Sequence, residues 1–246
     1  MYLIVTRAFP PEFGGMQSLM WGLSKEMSKN FMIKVFADYQ ENHKEFDNKE
    51  NFSIERVGGI KFLRKIRKAQ LVNEFLKENK VQGIIADHWK SLELIKTDKK
   101  KYCLIHGKDI NHPKGSLLNK RVIKVLNNVD QVIANSQYTK NLAIDNGVDQ
   151  DKLIVINPGI DQVQELNKKA LGKVESLLKV KTPRLITVSR FDKRKNHEKV
   201  IMAIRNLKEI YHDIIYTCIG YGDEEENLKK LVIELKLENH VIFLKD

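Results

Sequence analysis

Cysteine is scarce: two residues in 246, Cys103 and Cys218, each inside an apolar run and far apart in sequence. That excludes a disulfide framework and a cysteine-rich zinc site, and it makes a reducing cytoplasm the natural compartment. No apolar stretch approaches the roughly 20 residues that a bilayer-crossing helix needs. The start, MYLIVTRAFPPEFGG, lacks the basic n-region of an export signal. By its own signals the chain is expected to be neither exported nor membrane-spanning. Also missing are a His-Glu zinc motif, a Walker phosphate loop with its lysine and a Gly-x-Ser-x-Gly nucleophile elbow. His88 follows Asp87, but no second histidine stands at metal-ligand spacing, so no metal and no cofactor is expected. Lys and Arg number 43 against 32 Asp and Glu, a formal +11. No aromatic-interleaved basic strand or zinc finger accompanies that charge, so nucleic acid is not an expected partner.

What is present is ordinary globular material, 42% hydrophobic and 30% charged, which excludes disorder and fibrous repeats. Short β-branched runs alternate with longer amphipathic segments, the pattern of a parallel sheet wrapped by helices. Strands are expected at residues 2–6, 32–37, 52–57, 81–86, 102–105, 130–134 and 153–156, and the near-continuous apolar runs predict burial on both faces. Helices are expected at 16–29, 61–79, 117–127 and 137–146, the last followed by the helix-ending Gly147. Residues 162–182 are polar and lysine-containing with no strand signal, which suits a linker or connecting helix. The α/β pattern then restarts with strands at 184–190, 214–220 and 240–244 and helices near 197–211 and 223–236. The expected organisation is a first domain over 1–161, a linker over 162–182 and an incomplete second domain over 183–246.

Four loops at strand ends could carry chemistry. In FPPEFGGMQ, Gly14 and Gly15 stand between a strand end and a helix start, where backbone N–H groups can approach an anion; a rigid turn needing φ > 0 is the other reading. SRFDKRKNH gathers Arg190, Lys193, Arg194 and Lys195 ahead of a helix N-terminus, against the macrodipole preference. A bound diphosphate would resolve that conflict, and a solvated basic loop is the alternative. In IHGKD, His106 directly follows a strand, where it could position a hydroxyl or serve only structure. In GYGDE, Gly220 and Gly222 fit a turn against a nucleotide or simply a tight turn, the third Rossmann glycine being absent.

Taken in order, FPPEFGGMQ, LIHGKD, ANSQYTKN, VINPGID, LITVSRFDKRKNHEKVIMAI and CIGYGDEEENLKKLVIELKLENHVIFL resemble glycosyltransferase family 4. The resemblance spans nearly the whole chain and is most specific from Leu185 to Ile204. It implies a GT-B fold, two Rossmann-like domains facing across a cleft, the nucleotide-sugar donor mostly on the second and the acceptor mostly on the first. It implies transfer of a sugar from a nucleoside diphosphate to a hydroxyl of an envelope polysaccharide or glycolipid, with retention and without a metal. By that resemblance Gly14 and Gly15 lie beside the donor phosphates, Arg190 and Lys195 clamp the diphosphate, and Gly220 and Gly222 turn near the nucleoside. His106 orients groups close to the reacting sugar, and Asn157, Pro158, Gly159 and Asp161 match an interdomain crossover. Asn135 and Ser136 match a strand-end pair of open function. The family's two donor-holding glutamates would follow Leu244, so the sequence reads as a first domain plus part of the donor domain. A catalytically incompetent nucleotide- or anion-binding module is the alternative.

Residues 61–80 carry seven Lys/Arg against two Glu, with Phe62, Ile66, Ala69, Asn73 and Leu76 expected along one helical face. Such a helix either packs its apolar face on the sheet with the basic face solvated, or rests on an anionic inner leaflet near a lipid-linked acceptor.

Overall fold

The computed structural model describes residues 1–12, 14–160, 168–178 and 181–245. It divides into two compact units, Met1–Gln162 and Val163–Asp246. In the first, the order is β1 (Tyr2–Val5), α1 (Gly15–Ser28), β2 (Ile33–Asp38), α2 (His43–Asp47), β3 (Ser53–Val57), α3 (Lys61–Glu78) and β4 (Gly83–Ala86). It continues with α4 (Trp89–Leu92), β5 (Lys100–Ile105), α5 (Gly107–Ile110), α6 (Leu117–Leu126), β6 (Gln131–Ala134), α7 (Gln137–Asp145) and β7 (Leu153–Val155). The second holds α8 (Lys168–Leu178), β8 (Arg184–Val188), α9 (His197–Leu207), β9 (Ile215–Ile219), α10 (Glu225–Glu234) and β10 (Val241–Leu244).

The first unit is a seven-stranded sheet in the order β3-β2-β1-β4-β5-β6-β7, every pairing parallel. Its central strands are the apolar runs of the sequence, and alternate side chains enter different cores. Leu3 and Val5 join the cluster around Trp89 and Ile105, while Ile4 faces Phe9, Met20 and Val35. Strand order reverses between β1 and β4, and in open α/β sheets ligands bind beyond the carboxyl ends at such a switch point. The second unit is a three-stranded parallel sheet, β10-β9-β8, with Phe191, Ile201, Ile204, Tyr216, Cys218 and Val232 in its core.

The expected elements are present, with most ends shifted inward by a few residues; the helices near 197–211 and 223–236 shorten to 197–207 and 225–234, while β5 begins two residues earlier, at Lys100. Short α2, α4 and α5, too brief to show helical periodicity, were not legible. Two expectations are corrected. Phe62, on the first turn of α3, is 71% exposed rather than packed, while Ala69 of the same expected face is buried beside Lys68 and Val72. The strand expected at 153–156 is not buried on both faces: Ile154 of β7 and Ile156 just after it are exposed, at the edge of the sheet. The described part of the expected 162–182 linker contains helix α8; its first residues, and Asp161, lie outside the described residues. No helix among the described residues is long and apolar enough to cross a membrane.

Candidate functional site

The carboxyl edge of the first sheet is assembled around Asp87, which follows β4 directly. Its Oδ2 accepts from Thr6 Oγ1 at 2.8 Å and from the Arg7 N–H at 3.0 Å, and its Oδ1 accepts from Ser91 Oγ at 3.1 Å. One carboxylate thus ties the ends of β1 and β4 to α4, a role that adjacency to His88 in sequence does not reveal. The β1–α1 loop is held by Phe9, fully buried edge-on to Phe46 and Phe52, and by Arg56. The Arg56 guanidinium donates to the Pro10 carbonyl and pairs with both oxygens of Asp47.

That loop delivers Gly14 and Gly15 to the start of α1. Gly14 has φ 171, extended backbone open to any residue, and Gly15 is already helical, so neither glycine serves a turn with φ > 0. A Cβ on Gly15 would meet nothing within 4 Å, and one on Gly14 only the swinging end of Gln17. No side chain caps the helix. The protein's own packing therefore does not require glycine at position 15.

His106 follows β5, one strand away from β4, on the same edge. Asn135, at the end of β6, fixes its ring. The Asn135 Oδ1 accepts from Thr139 Oγ1 at 2.7 Å, which turns its amide NH₂ toward His106 Nδ1 at 3.3 Å. With Nδ1 accepting, the proton of a neutral ring is assigned to Nε2. That Nε2 is buried and has no hydrogen-bond partner among the described residues. Ser136 caps α7 by accepting from the Thr139 N–H. The strand-end pair Asn135–Ser136 thus orients His106 and starts a helix.

His88, 8% exposed at its side chain, stands 3.5 Å from Asp109 through Nε2, while its Nδ1 accepts from the Lys90 N–H at 3.0 Å. Burial, then the nearby cations, lowers its pKa to about 3, consistent with a neutral ring that caps α4. Burial pushes the Asp109 carboxyl up.

In the second unit Arg190 and Lys195 occupy the exposed β8–α9 loop, and among the described residues neither has an ion-pair partner. Their loop is nevertheless built firmly. Phe191 plunges into the core, Asp192 caps the turn Lys193–Lys195 through the Lys195 N–H, and His197 is 2% exposed between two hydroxyls. Its Nε2 contacts Ser189 Oγ at 2.9 Å and its Nδ1 contacts Tyr216 Oη at 3.1 Å; that hydroxyl donates to Thr187 Oγ1 at 2.9 Å. Burial pushes the His197 pKa down, as suits a neutral ring with a hydroxyl at each nitrogen. The ladder fastens β8 and β9 to the start of α9, and of its four members only Thr187 stands between apolar residues in the sequence, so nothing there signalled it.

Gly220 and Gly222, at φ +144 and +158, abut that same loop. A Cβ on Gly220 would lie 2.1 Å from the Ser189 carbonyl oxygen, and one on Gly222 would lie 2.5 Å from that of Phe191. Their smoothness admits the protein's own backbone. The contact is sealed by Phe191 N–H to Tyr221 O at 2.9 Å and Glu224 N–H to Phe191 O at 3.0 Å. The structure thus joins Arg190, Lys195, Gly220 and Gly222 on one edge of the second unit, and Gly14, Gly15 and His106 on one edge of the first.

The model of Glycosyltransferase Family 4 matches residues 13–164, and that of Glycosyl transferases group 1 matches residues 169–246. Among curated proteins, the GDP-mannose-dependent alpha-(1-6)-phosphatidylinositol monomannoside mannosyltransferase of Mycolicibacterium smegmatis is 21% identical over 98% of this chain and 66% of its own length. A second is the N-acetylgalactosamine-N,N'-diacetylbacillosaminyl-diphospho-undecaprenol 4-alpha-N-acetylgalactosaminyltransferase of Campylobacter jejuni, 30% identical over 52% of this chain and 34% of its own length. The chain thus spans 66% or less of the length of the curated relatives it matches. The crystal structure of HepE of Anabaena in complex with UDP superposes with a TM-score of 0.79 at 19% identity, over 99% of this chain and 68% of that one. That likeness gives the fold as GT-B. With a family model covering more than half of its residues, the chain belongs to glycosyltransferase family 4.

Proposed function

We propose that this chain is part of an enzyme that moves a sugar from a nucleoside diphosphate donor to a hydroxyl of a glycan or lipid-linked acceptor of the cell envelope, retaining the anomeric configuration and using no metal. The observation that carries the reading is the pair Arg190 and Lys195, exposed, without carboxylate partners among the described residues and fixed on a rigid loop. Breaking a glycosidic bond to a nucleoside diphosphate builds negative charge on the leaving group, and preorganised cations stabilise that charge where it develops. Support for a nucleotide donor comes from HepE, described in complex with UDP, and from the GDP-mannose dependence of the mycobacterial relative. In the first unit, the unpartnered Nε2–H of His106 suits a sugar or acceptor hydroxyl, and the uncapped start of α1 at Gly15 suits the donor phosphates. Both curated relatives act on acceptors whose names include a phosphate next to a lipid, which favours a lipid-linked acceptor and a workplace at the inner face of the membrane.

The test is Arg190→Ala, assayed for nucleoside diphosphate binding and for sugar transfer. Loss of one preorganised donor costs about 3 kcal/mol of transition-state stabilisation, a rate loss of about a hundredfold. Circular dichroism is expected to stay unchanged, because Arg190 is exposed. An unaltered rate in a normally folded variant overturns the clamp. Nucleotide binding by this chain without transfer favours the second reading, a nucleotide- or anion-binding module.

A further inference from the structure

Beside the switch point of the first sheet lies a cavity of about 190 Å³, lined by Arg7, Asp38, Lys61, Arg64, Lys65, Lys68, Ala69, Lys90 and Ser91. Arg7 follows β1, Asp38 ends β2, Lys90 and Ser91 belong to α4, and the other lining residues stand on the first turns of α3. A larger groove of about 580 Å³, lined by Phe31, Met32 and Ser53 among others, opens at the amino ends of β1 and β2, where parallel sheets do not place ligands.

Six cations line the smaller cavity, and two carboxylates answer them. Asp38 pairs with Arg64 at 3.0 Å and with Lys68, and Glu93 pairs with Lys65 while also holding Arg121 at 2.8 Å. Arg7, Lys61 and Lys90 have no ion-pair partner among the described residues. Lys68 is 4% exposed and also donates to the Thr6 carbonyl, so a hydrogen-bonded amine is built into the floor. Burial comes first in lowering the Lys90 pKa, and Arg7, Arg121, Lys65 and Lys61 add to it, as expected where cations outnumber the carboxylates beside them. Convergent cations at the carboxyl edge of a parallel sheet, with a helix start among them, are held together most economically by a bound anion.

We infer that this cavity binds a phosphate or diphosphate group of the acceptor, separately from the donor diphosphate at Arg190 and Lys195. The inference rests on the phosphate-bearing acceptor proposed above. Size points the same way: the volume falls below the roughly 300–1,000 Å³ of pockets that enclose a whole drug-sized ligand. It suits the charged group of a larger molecule whose remainder lies outside. The exposed Ile60, Phe62 and Leu63 at the start of α3 provide an apolar rim for a lipid carrier.

The test titrates inorganic pyrophosphate by calorimetry into the full chain carrying Arg190→Ala and Lys195→Ala, which removes the donor-side cations. One equivalent is expected to bind. Adding Arg7→Gln and Lys90→Gln is expected to weaken that binding by about tenfold or more, each lost cation removing a charge-assisted contact, with circular dichroism unchanged. No binding before the second pair of changes, or equal affinity after it, overturns the pocket. UDP titrated into the parent and into Arg190→Ala/Lys195→Ala reads the donor assignment independently. Vesicles of phosphatidylcholine with phosphatidic acid divide the sources. Capture that pyrophosphate reverses assigns a lipid-borne phosphate, and absence of capture with pyrophosphate binding intact assigns a soluble phosphorylated acceptor.

Discussion

At Gly220 a methyl group would sit 2.1 Å from a carbonyl oxygen on a backbone at φ +144, whereas at Gly15 it would meet nothing within 4 Å. Glycine at 220 is thus demanded by the fold, and at 15 it is not. Gly220→Ala is expected to destabilise the protein by about 2–4 kcal/mol, from backbone strain plus the clash. Gly15→Ala, at the exposed first position of α1, is expected to leave stability unchanged or raise it by up to about 1 kcal/mol. The same change is expected to weaken UDP binding, if the helix start approaches the donor phosphates as proposed. Denaturant unfolding by circular dichroism and calorimetry with UDP check both. Weakened UDP binding without lost stability would identify position 15 as a ligand contact, and unchanged binding would reduce it to an accident of sequence.

Among the elements, strands and long helices were legible because period and length suffice to specify them, as in YLIV and in the eighteen-residue α3. What escaped depended on partners distant in sequence. Asp87 draws its meaning from Thr6, 81 residues away, and Asn135 from His106, 29 away. Along α3 the expected face holds at Ala69 and Leu76 and fails at Phe62, on the first turn. A lysine was taken to belong outside, yet Lys68 is buried because the Thr6 carbonyl and Asp38 receive its amine. The exposed tip Ile60, Phe62 and Leu63, set among Lys61, Arg64, Lys65 and Arg67, combines apolar anchors with cations worth about 1 kcal/mol each at an anionic surface. The protein is expected to pellet with anionic vesicles and not with neutral ones, and Phe62→Ser/Leu63→Ser to reduce recovery. Equal recovery from both lipids would remove the membrane from the account.

The whole molecule is two cores of unequal size, seven strands with packing on both faces against three strands with one principal cluster. Larger buried apolar area gives larger stability, so the second unit is expected to unfold at lower urea. Both tryptophans, Trp21 and Trp89, lie in the first unit, and strands and helices occur in both. Ellipticity is therefore expected to begin falling at lower urea than tryptophan fluorescence changes, and superimposable transitions would show one cooperative unit instead. Within the smaller core, the close seating of Gly220 and Gly222 on Ser189 and Phe191 has a mechanical consequence. The cation-bearing loop and the turn after β9 share two hydrogen bonds and no gap, so they form one stiff piece. A force applied at Arg190 is delivered to Tyr221 and Glu224, and through Glu224 to the first turn of α10, so the grip on a leaving group and the posture of that helix are set together.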